Sequence, residues 1–491
     1  MSAADEAQSS GLAASPADGR ASIAVDLGAE SCRVSLLRWR DGQAEIALVH
    51  RFPNGPERDA EGALRWPLPT ILAGVDEGMR MCAERAPEGV RSVAVDGWAV
   101  DYVRADASGE PLAAPFCYRD ERTSAAEQRL HERISPARLR EITGIQRQPI
   151  NTLYQLYADR LAGLAAGARW LNLPEFVLAR WGGEAVSEYT NATHTEMVEL
   201  ENRRWSREIC EAAEIGAETM PRMVGSGTRL GRLRGEHARL PAFRETELIA
   251  PACHDTASAI AGIADEREDW GYISSGTWSL VGTVLEGPRN GAAARAAEFT
   301  NLGAVDDRIL FQKNVNGMWL LRQCMEAWSA AGGRWEIEEL CAAAERVATP
   351  EGTLDVDDPE LLLMERMPER INAQRTARGY AALDTSPAGA PAMASLIFHS
   401  LAARYAGLLT QMEELTGKRL ARIHLVGGGS RNALLRRLTE QASGRTVLTG
   451  SAESSTLGNF AVQLAALDRH DRGDGEPLRR RAAQYLRCFK F

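Results

Sequence analysis

The fold is decided by residues 23–36, IAVDLGAESCRVSL, in which two apolar runs flank a turn of small and polar residues. Residues 272–282, YISSGTWSLVG, repeat that layout far downstream. Each stretch predicts a β-hairpin whose tight turn contains glycine and hydroxyl side chains. Such a turn can direct backbone N–H groups and hydroxyls at phosphate oxygens, although a single copy is also a common structural turn. Two copies, one in each half, indicate a duplicated fold that holds one nucleotide from both sides.

Length and composition indicate a large globular protein whose partners are small molecules rather than nucleic acid. The chain has 491 residues, too many for one ordinary hydrophobic core, so two large domains are expected. Its net charge of −10 argues against nucleic acid as a partner, because phosphate backbones bind basic surfaces. Its eight cysteines lack C-x-x-C spacing, which predicts a reducing cytoplasm and no zinc site.

No secretory signal or membrane segment is predicted. Residues 1–20 lack a basic start and an apolar core, so we interpret them as a disordered tail. No uninterrupted apolar run reaches the length that spans a membrane. We therefore expect a cytoplasmic protein without a membrane partner.

Apolar periodicity predicts the main elements of the second half. The strongest helix is predicted over residues 393–415, with Gly417 as its C-cap. Another helix is predicted over residues 313–330. Residues 422–449 predict a strand, a helix and a second strand in one βαβ unit.

A run of three glycines, Gly427 to Gly429, follows the first strand of that unit. It could form a nucleotide-binding turn, or it could allow close packing of helix on sheet. The run is not G-x-G-x-x-G and lacks an acid at the dinucleotide distance, so a Rossmann dehydrogenase fits poorly. The chain also lacks the H-E-x-x-H and G-x-S-x-G patterns, which argues against a zinc hydrolase and an α/β hydrolase.

Two aspartates lie where chemistry is expected. Asp26 ends the first predicted strand and faces the turn, where it could bind Mg²⁺ beside phosphates or cap the turn. Asp255 follows a β-rich segment and precedes small residues that can begin a helix. It could be an ordinary helix N-cap, or a general base that accepts a proton from a hydroxyl attacking a γ-phosphate.

Aromatic and polar side chains that could contact a sugar cluster between the two hairpins. Trp98, Asp101 and the run Tyr118-Arg119-Asp120 combine flat faces with hydrogen-bonding groups. The same residue types also occur in core aromatics and solvated loops, so both interpretations stay open for each of them.

Taken together, these segments resemble the FGGY family of carbohydrate kinases from about Ala24 to Leu467. The middle stretches are uncommon sequences, so the resemblance is more specific than any glycine-rich loop. It is carried by the stretches Val25 to Ala29, Trp98 with Val100-Asp101, Tyr118 to Asp120, Asn151 to Leu156, Glu188 to Thr193, His254 to Ala259, Ser274 to Leu280, Val426 to Gly429 and Ser455 to Asn459.

The resemblance implies an α/β fold of two actin-like (ribonuclease H-like) ATPase domains around a central cleft. Residues 21–265 would form the N-terminal domain and residues 266–491 the C-terminal domain. It also implies ATP and Mg²⁺, and transfer of the γ-phosphoryl group to the 1-hydroxyl of L-rhamnulose. The expected partners are a small-molecule sugar and ATP, and the expected state is a monomer or small homo-oligomer.

The resemblance further assigns roles to individual residues. The catalytic base falls on Asp255, and the metal-binding carboxylate on Asp26. The sugar would be bound by Trp98, Ala99, Asp101, His254, Asp255, Thr256 and Asn314. The nucleotide would be bound by Ala29, Glu30, Ser31, Cys32, Arg33, Thr277, Arg322 and Gly428.

The sequence departs from the family pattern in three places, at four positions. The hairpin of the family reads Ala-Ser-Ser-Gly-Arg, whereas here Glu30 and Cys32 replace Ser and Gly, so an acid lies near phosphate. Either the turn directs Glu30 away, or ATP is held less tightly. Ala99 places a methyl group where backbone approaches the sugar, which bears on the identity of the ketose. Arg322 stands where some relatives have Gln beside ATP.

Two alternatives follow from the same residues. A kinase of this family could act on L-fuculose, xylulose or glycerol instead of L-rhamnulose. A sugar or nucleotide sensor without catalysis could also use the same fold. The intact Asp26, Asp255 and Thr277 argue against a sensor, because a sensor would be free to lose the base.

Overall fold

The computed structural model describes residues 18–164, 169–265, 267–472 and 475–490. Most of the tail predicted at residues 1–20 lies outside the described residues. The strands are β1 (Ala21–Leu27), β2 (Ser31–Arg40), β3 (Gln43–Pro53), β4 (Glu57–Arg58), β5 (Leu64–Arg65), β6 (Val90–Gly97), β7 (Tyr102–Ala105), β8 (Arg169–Asn172), β9 (Val186–Glu188), β10 (Val198–Glu199), β11 (Arg204–Trp205), β12 (Arg222–Val224), β13 (Thr228–Arg232), β14 (Glu247–Ala250), β15 (Trp270–Ser275), β16 (Trp278–Leu285), β17 (Thr300–Gly303), β18 (Ile309–Asn316), β19 (Arg422–Val426), β20 (Thr446–Thr449) and β21 (Phe489–Lys490).

Helices cover the sheets and connect their strands. The α-helices are α1 (Leu68–Arg85), α2 (Thr123–His131), α3 (Pro136–Thr143), α4 (Thr152–Leu161), α5 (Leu173–Arg180), α6 (Tyr189–His194), α7 (Arg207–Ala212), α8 (Asp255–Ala261), α9 (Ala292–Ala296), α10 (Trp319–Ala330), α11 (Ile337–Arg346), α12 (Met367–Ala377), α13 (Ala390–Thr416), α14 (Ala433–Ser443), α15 (Ser454–Arg472) and α16 (Leu478–Leu486). Short 3₁₀ helices occur at Ala217–Thr219, His237–Arg239, Pro241–Phe243, Val305–Asp307, Pro359–Leu362, Pro387–Gly389 and Gly428–Arg431.

Two large sheets repeat one arrangement of strands. The first sheet has the order β13-β14-β6-β1-β2-β3-β21, and the second has the order β17-β18-β16-β15-β19-β20. In each sheet a predicted hairpin, β1–β2 or β15–β16, is antiparallel, and its first strand pairs in parallel with a later strand, β6 or β19. Both hairpins predicted from the sequence are therefore confirmed, and they occupy equivalent places in a duplicated α/β fold.

The elements predicted for the second half are confirmed with one exception. Helix α13 ends at Gly417, which has a φ of 70° as a left-handed C-cap does. Strands β19 and β20 are parallel and flank α14, as the βαβ prediction requires. The helix predicted over residues 313–330 is wrong in its first part, because residues 309–316 form β18, which pairs along its length with β16. Helix α10 begins only at Trp319.

Helix α13 belongs to the core of the second sheet. By length and composition the segment Pro387–Thr416 is apolar enough to cross a membrane, but 72% of its most apolar window is buried inside the protein. Its side chains pack in one cluster with those of β15, β18 and α10. This burial accounts for its apolar composition without a membrane, since a core helix is apolar on most sides.

Helix α15 joins the two sheets beneath the cleft. Three of its polar side chains, four residues apart and therefore on one face, hydrogen bond to the first sheet. Asn459 Nδ2 donates to Asp96 Oδ2 at 2.7 Å, and Gln463 Nε2 donates to the carbonyl of Ile23 at 3.0 Å. The third, Ser455, donates to the end of β1 at 2.7 Å.

Helices α8 and α15 cross in close contact, because a Cβ atom added at Gly458 would lie 1.8 Å from the Ser258 carbonyl oxygen. The chain then returns to the first sheet, where β21 pairs with β3.

Candidate active site

Three carboxylates meet at the ends of β1 and β6. The parallel register of these strands places Asp26 directly beside Asp96, and both side chains are buried. A β-bridge between Gly97 and His254 then brings the start of α8, with Asp255, to the same place. The Asp255 side chain is 35% exposed, so it faces open space while the other two lie behind it.

Asp26 is held by one side chain from each half of the molecule. Arg33, its partner across the β1–β2 hairpin, donates from Nη1 to Asp26 Oδ2 at 2.8 Å. Ser455 Oγ of α15 donates to the same oxygen at 2.7 Å. Arg33 also forms an ion pair with Glu453 at 3.4 Å. The predicted metal-binding carboxylate thus lies in a polar network at the junction of the two sheets.

Asp96 was not predicted as a site residue. It is fully buried, and its Oδ1 has no hydrogen-bond partner among the residues that the structure describes. Burial, and then the negative charge of Asp26, raise the pKa of Asp96 well above its ordinary value. The sequence held a weak signal for it, since β6 ends in Val-Asp-Gly much as β1 ends in Val-Asp-Leu-Gly.

Asp255 is not the N-cap of its helix. The residue at the N-cap position of α8 is His254, and Asp255 is the first residue inside the helix. Its Oδ1 accepts a hydrogen bond from Thr256 Oγ1 at 3.2 Å and lies 3.3 Å from His254 Nε2. Burial, followed by the charge of Asp26, raises the pKa of Asp255 to about 7. A carboxyl with that pKa can exchange a proton near neutral pH.

Glu188 fixes the backbone in front of Asp255. It is fully buried at the end of β9, and its Oε2 accepts hydrogen bonds from Thr190 N at 3.0 Å, Thr190 Oγ1 at 2.5 Å and Cys253 N at 3.0 Å. Ser226 Oγ donates to Oε1 at 2.7 Å. Thr190 Oγ1 in turn accepts from His254 N at 3.1 Å. Glu188 belongs to one of the stretches that resemble the family, but the sequence predicted no role for it.

The predicted sugar-contact residues fall into two groups. Trp98 and Ala99 directly follow β6, beside the carboxylate cluster, and Thr256 adjoins Asp255. Asn314 lies on β18, opposite Leu280, and its side-chain oxygen has no partner among the described residues. Thr256 and Asn314 can offer hydrogen-bonding groups to a ligand in the cleft.

Asp101 differs from them, because its carboxylate is already satisfied within the protein. It is fully buried, and Gln155 Nε2 donates to Oδ1 at 2.9 Å. Its Oδ2 accepts from Trp66 Nε1 at 2.5 Å, Trp98 Nε1 at 3.0 Å and Tyr118 N at 3.2 Å. Burial raises the pKa of Asp101 to about 6. What Asp101 visibly does is hold Trp98, whose ring packs on that of Trp66 with centroids 4.4 Å apart.

In the β1–β2 hairpin, Glu30 and Cys32, the two residues that depart from the family pattern, differ in their exposure to solvent. Ala29, Glu30 and Ser31 lie in or next to the turn, with Glu30 exposed, whereas Cys32 is buried on β2 in the hydrophobic core. The Cys32 thiol donates toward the Gly28 carbonyl at 3.8 Å, and burial raises its pKa to about 12.

Glu30 and Arg322 pair with each other across the cleft. Arg322 Nη1 of α10 lies 2.6 Å from Glu30 Oε1, and its Nε contacts Glu326 at 3.2 Å. Two of the residues that depart from the family pattern thus form one ion pair between the halves. In this pair Arg322 offsets the negative charge that Glu30 adds beside the β1–β2 turn.

The second hairpin and the glycine run face each other. Thr277 lies in the turn of the β15–β16 hairpin, and its carbonyl accepts a hydrogen bond from Trp319 N at 3.1 Å. A Cβ atom at Gly429 would lie 2.1 Å from Ser275 Oγ, whereas one at Gly428 would meet nothing within 4 Å. Close packing therefore explains Gly429, and Gly428 remains open to a ligand.

The comparison with known families decides the class. Residues 21–262 match the N-terminal domain model, and residues 271–467 the C-terminal domain model, of the FGGY family of carbohydrate kinases. The chain belongs to the FGGY family of carbohydrate kinases. This FGGY kinase is therefore a sugar kinase, a phosphotransferase, rather than a sensor without catalysis.

Individual relatives agree with that class. A rhamnulokinase of Enterococcus faecalis is 34% identical over 454 residues, covering 91% of this chain and 89% of the relative. A rhamnulokinase of Bacillus subtilis is 31% identical, covering 90% of each chain.

Solved structures confirm the predicted fold of two actin-like domains. A xylulose kinase of Lactobacillus acidophilus superposes with a TM-score of 0.76 at 16% identity, covering 95% of this chain and 96% of that one. A glycerol kinase of Plasmodium falciparum, solved with ADP, gives a TM-score of 0.69 at 12% identity, covering 95% and 92%.

Sugar kinases of the FGGY family use ATP with a divalent metal. Among the residues that the structure describes, no group of three or more His, Cys, Asp or Glu side chains is arranged to hold a metal ion. Mg²⁺ is commonly bound by one or two carboxylates together with substrate phosphates and water. Asp26 and the unpartnered Oδ1 of Asp96 beside it are carboxylate oxygens that could bind such an ion.

Proposed function

We propose that this FGGY kinase transfers the γ-phosphoryl group of ATP to the 1-hydroxyl of L-rhamnulose, giving L-rhamnulose 1-phosphate. The choice of sugar is supported by the rhamnulokinases that are 31–34% identical over about nine-tenths of both chains. The chemistry is supported by one observation above the rest: a partly exposed Asp255 with a pKa of about 7 lies in front of two buried carboxylates.

Asp255 would act as the general base. Its carboxylate accepts the proton of the sugar 1-hydroxyl while that oxygen forms a bond to the γ-phosphorus, and the bond from the γ-phosphorus to the bridging oxygen of ADP breaks. Because Oδ1 already interacts with His254 and Thr256, the carboxylate is held in one orientation. Such fixed orientation is part of how an enzyme lowers the barrier of a two-substrate reaction.

The sugar would be bound between the end of β6 and the start of α8. Thr256 and Asn314 supply hydrogen-bonding groups, and Trp98 supplies an aromatic face. His254 borders the sugar, while its ring nitrogens face His194 and Asp255. In this arrangement Asp101 contributes by fixing the Trp98 indole through its Nε1. Ala99, on the same loop, limits how closely a sugar can approach the backbone.

The phosphates would be bound by the two hairpins, with Ala29 to Arg33 on one side and Thr277 on the other, and the adenosine beside Gly428. Arg322 borders this region while paired with Glu30. Asp26 would hold Mg²⁺, which would offset the negative charge of the phosphates. We further propose that the enzyme works in the cytoplasm as a monomer or small homo-oligomer.

The acceptor is tested by ADP release with Mg²⁺ and a panel of L-rhamnulose, L-fuculose, L-xylulose and glycerol. L-rhamnulose should give the highest kcat/KM, and ADP release without sugar should be far slower because the bound sugar hydroxyl is the intended acceptor. A preference of about tenfold for another sugar, roughly 1.4 kcal/mol at the transition state, would reassign the acceptor and leave the kinase class intact.

Other acceptors remain the competing hypothesis within the family. Xylulose and glycerol kinases share the fold, but at 12–16% identity they bear on the fold alone. The Ala99→Gly variant provides a matched test of the sugar side. If Ala99 shapes the sugar site, this variant should change the relative kcat/KM values across the panel and leave the KM for ATP within about twofold.

A further inference from the structure

Two histidines and the proposed base form a continuous chain of contacts. His194, the last residue of α6, has its Nε2 3.1 Å from Nδ1 of His254. The other ring nitrogen of His254, Nε2, lies 3.3 Å from Asp255 Oδ1. The two imidazole rings are 4.0 Å apart between centroids and tilted by 55°. His254 therefore uses both ring nitrogens, one toward His194 and one toward Asp255.

Burial disfavours the charged form of both imidazoles. Burial lowers the pKa of His194 to about 3, and burial followed by the adjacent His194 holds the pKa of His254 well below its ordinary value. A neutral imidazole has one N–H donor and one acceptor nitrogen. Only one proton can therefore lie between His194 Nε2 and His254 Nδ1.

The position of that proton decides what His254 presents to Asp255. If His194 Nε2 donates, His254 carries its own proton on Nε2, which then donates to the Asp255 carboxylate. If His254 Nδ1 donates instead, His254 Nε2 is a bare lone pair facing a carboxylate oxygen, and the two repel. The first arrangement satisfies all three groups whenever Asp255 is ionised.

We propose that His194 is a positioning residue for the phosphoryl transfer, holding His254 in the tautomer whose Nε2–H donates to Asp255. This inference rests on the proposed role of Asp255 as base. Asp255 Oδ1 then accepts from both His254 and Thr256, which fixes the rotation of the carboxyl group before the sugar arrives. His194 needs no contact with the substrate for this role.

The tautomer is measured directly by ¹⁵N NMR of the imidazole nitrogens in histidine-labelled protein. The chain has eight histidines, and the His254→Gln spectrum identifies the signals of His254. At about pH 8, where Asp255 is ionised, His254 of the parent protein should be in the Nε2–H form. Finding it in the Nδ1–H form would overturn the proposal without any variant at residue 194.

Two variants separate hydrogen bonding from packing. His194→Gln keeps an N–H donor near the position of Nε2, whereas His194→Leu removes the donor and keeps an apolar side chain. In His194→Leu, His254 Nδ1 loses its hydrogen-bond donor, so we expect the ¹⁵N signal of Nδ1 to shift and the ring to lose its fixed orientation. We expect kcat to fall about tenfold, with the KM for ATP unchanged, because only the orientation of the base is affected. His194→Gln should keep the Nε2–H form and retain kcat within about threefold.

His50→Leu is the control for replacing a histidine, because His50 lies on β3 and stacks on Phe52 away from the carboxylates. It should leave kcat unchanged. Equal kcat values for His194→Gln and His194→Leu, or an unchanged ¹⁵N signal of His254 Nδ1 in His194→Leu, would refute the positioning role. Should His194→Leu not fold, His194→Thr replaces it as the variant that cannot reach His254.

Failure of the proposed function gives a different result. A parent protein that transfers phosphate to no sugar would refute the proposed function, while the NMR signal of His254 would still report whether His194 sets its tautomer. A parent enzyme with full activity and His254 in the Nδ1–H form would refute only the role of His194.

Discussion

Replacing Asp255 by Asn should make the protein more stable and almost inactive. The pKa of Asp255 is raised from 3.8 to about 7, first by burial and then by the charge of Asp26. The folded protein therefore keeps the Asp255 proton at pH values where the unfolded chain has lost it, and the free energy of unfolding declines as pH rises from about 4 to 7. The ionised carboxylate destabilises the fold, and Asn removes that charge while keeping the shape.

The size of the effect follows from the shift and from the exposure of the side chain. If the whole rise in the pKa of Asp255, from 3.8 to about 7, were converted to free energy, the ionised carboxylate would lower the free energy of unfolding by roughly 4 kcal/mol. Because 35% of the side chain is exposed, solvent screens the charge, and we expect a gain of about 1–2 kcal/mol for Asp255→Asn at about pH 8. The gain should shrink as the pH is lowered through the pKa of Asp255.

Turnover should change in the opposite direction. Asn cannot accept the proton of the sugar hydroxyl, and loss of a general base typically costs about 10²–10⁴ in rate. In the parent enzyme, kcat/KM should fall with decreasing pH below about 7, because the base must be ionised. The negative charge of Asp26 is the second cause of the raised pKa of Asp255, and Mg²⁺ bound at Asp26 would offset that charge. The pKa of Asp255 measured from kcat, which reports the enzyme with its substrates bound, should therefore be lower than the pKa measured from kcat/KM, which reports the free enzyme.

The assay is thermal unfolding without substrates at about pH 5 and 8, together with ADP release on the same preparation. Asp106→Asn is the matched control: its carboxylate accepts from Ser108, chiefly from the Ser108 hydroxyl, and this lowers the pKa of Asp106. That control should not stabilise the protein at pH 8. Two results would contradict this prediction. The Asp255→Asn protein could be less stable than the parent at pH 8, or its turnover could stay within about threefold of the parent value.

Three further experiments test the other parts of the site. Asp26→Asn should lower turnover and Mg·ATP affinity while sugar affinity, measured by calorimetry, stays within about threefold, and equal losses of both would contradict a metal role. Glu188→Ala leaves four donors without their acceptor, so unfolding should need about 1–3 kcal/mol less and turnover should fall, whereas parent-like stability would show that Glu188 does not fix the turn. In a double-mutant cycle of Glu30→Gln and Arg322→Gln, the coupling free energy for ATP binding should be at most about 1 kcal/mol, because the ion pair is exposed to solvent. A coupling free energy that stays the same at high salt would show that solvent does not screen this pair.

Features fixed by neighbouring residues could be predicted from the sequence. The two hairpins, the βαβ unit and helix α13 depend on local turns, caps and periodicity, and all were predicted correctly. Residues 313–330 could not be divided correctly, because the pairing of β18 with β16 overrides a helical pattern that continues into α10. Local spacing alone does not contain that information.

The site could be predicted only in part, for the same physical reason. Asp26 and Asp255 could be proposed as site residues from their places beside apolar strands, whereas Asp96 becomes a partner of Asp26 only through the register of β1 and β6. Glu188 and His194 act through contacts about 60 residues away in the chain. Cys32 was predicted to bind nucleotide, but alternation along β2 directs its side chain into the core, opposite to Arg33.

The two ends of the cleft are held together very differently. At its base, Ser455, Asn459 and Gln463 on one face of α15 hydrogen bond into β1 and β6, and α15 crosses α8 with no room for a side chain at Gly458. At its mouth, the halves meet in the exposed pair of Glu30 and Arg322. Buried hydrogen bonds to carboxylates are stronger than an exposed ion pair, so opening at the mouth requires less free energy than separation at the base. A motion that admits and releases the nucleotide should therefore pivot at the crossing of α8 and α15, which keeps Asp26, Asp96 and Asp255 together while the turns of the β1–β2 and β15–β16 hairpins move apart.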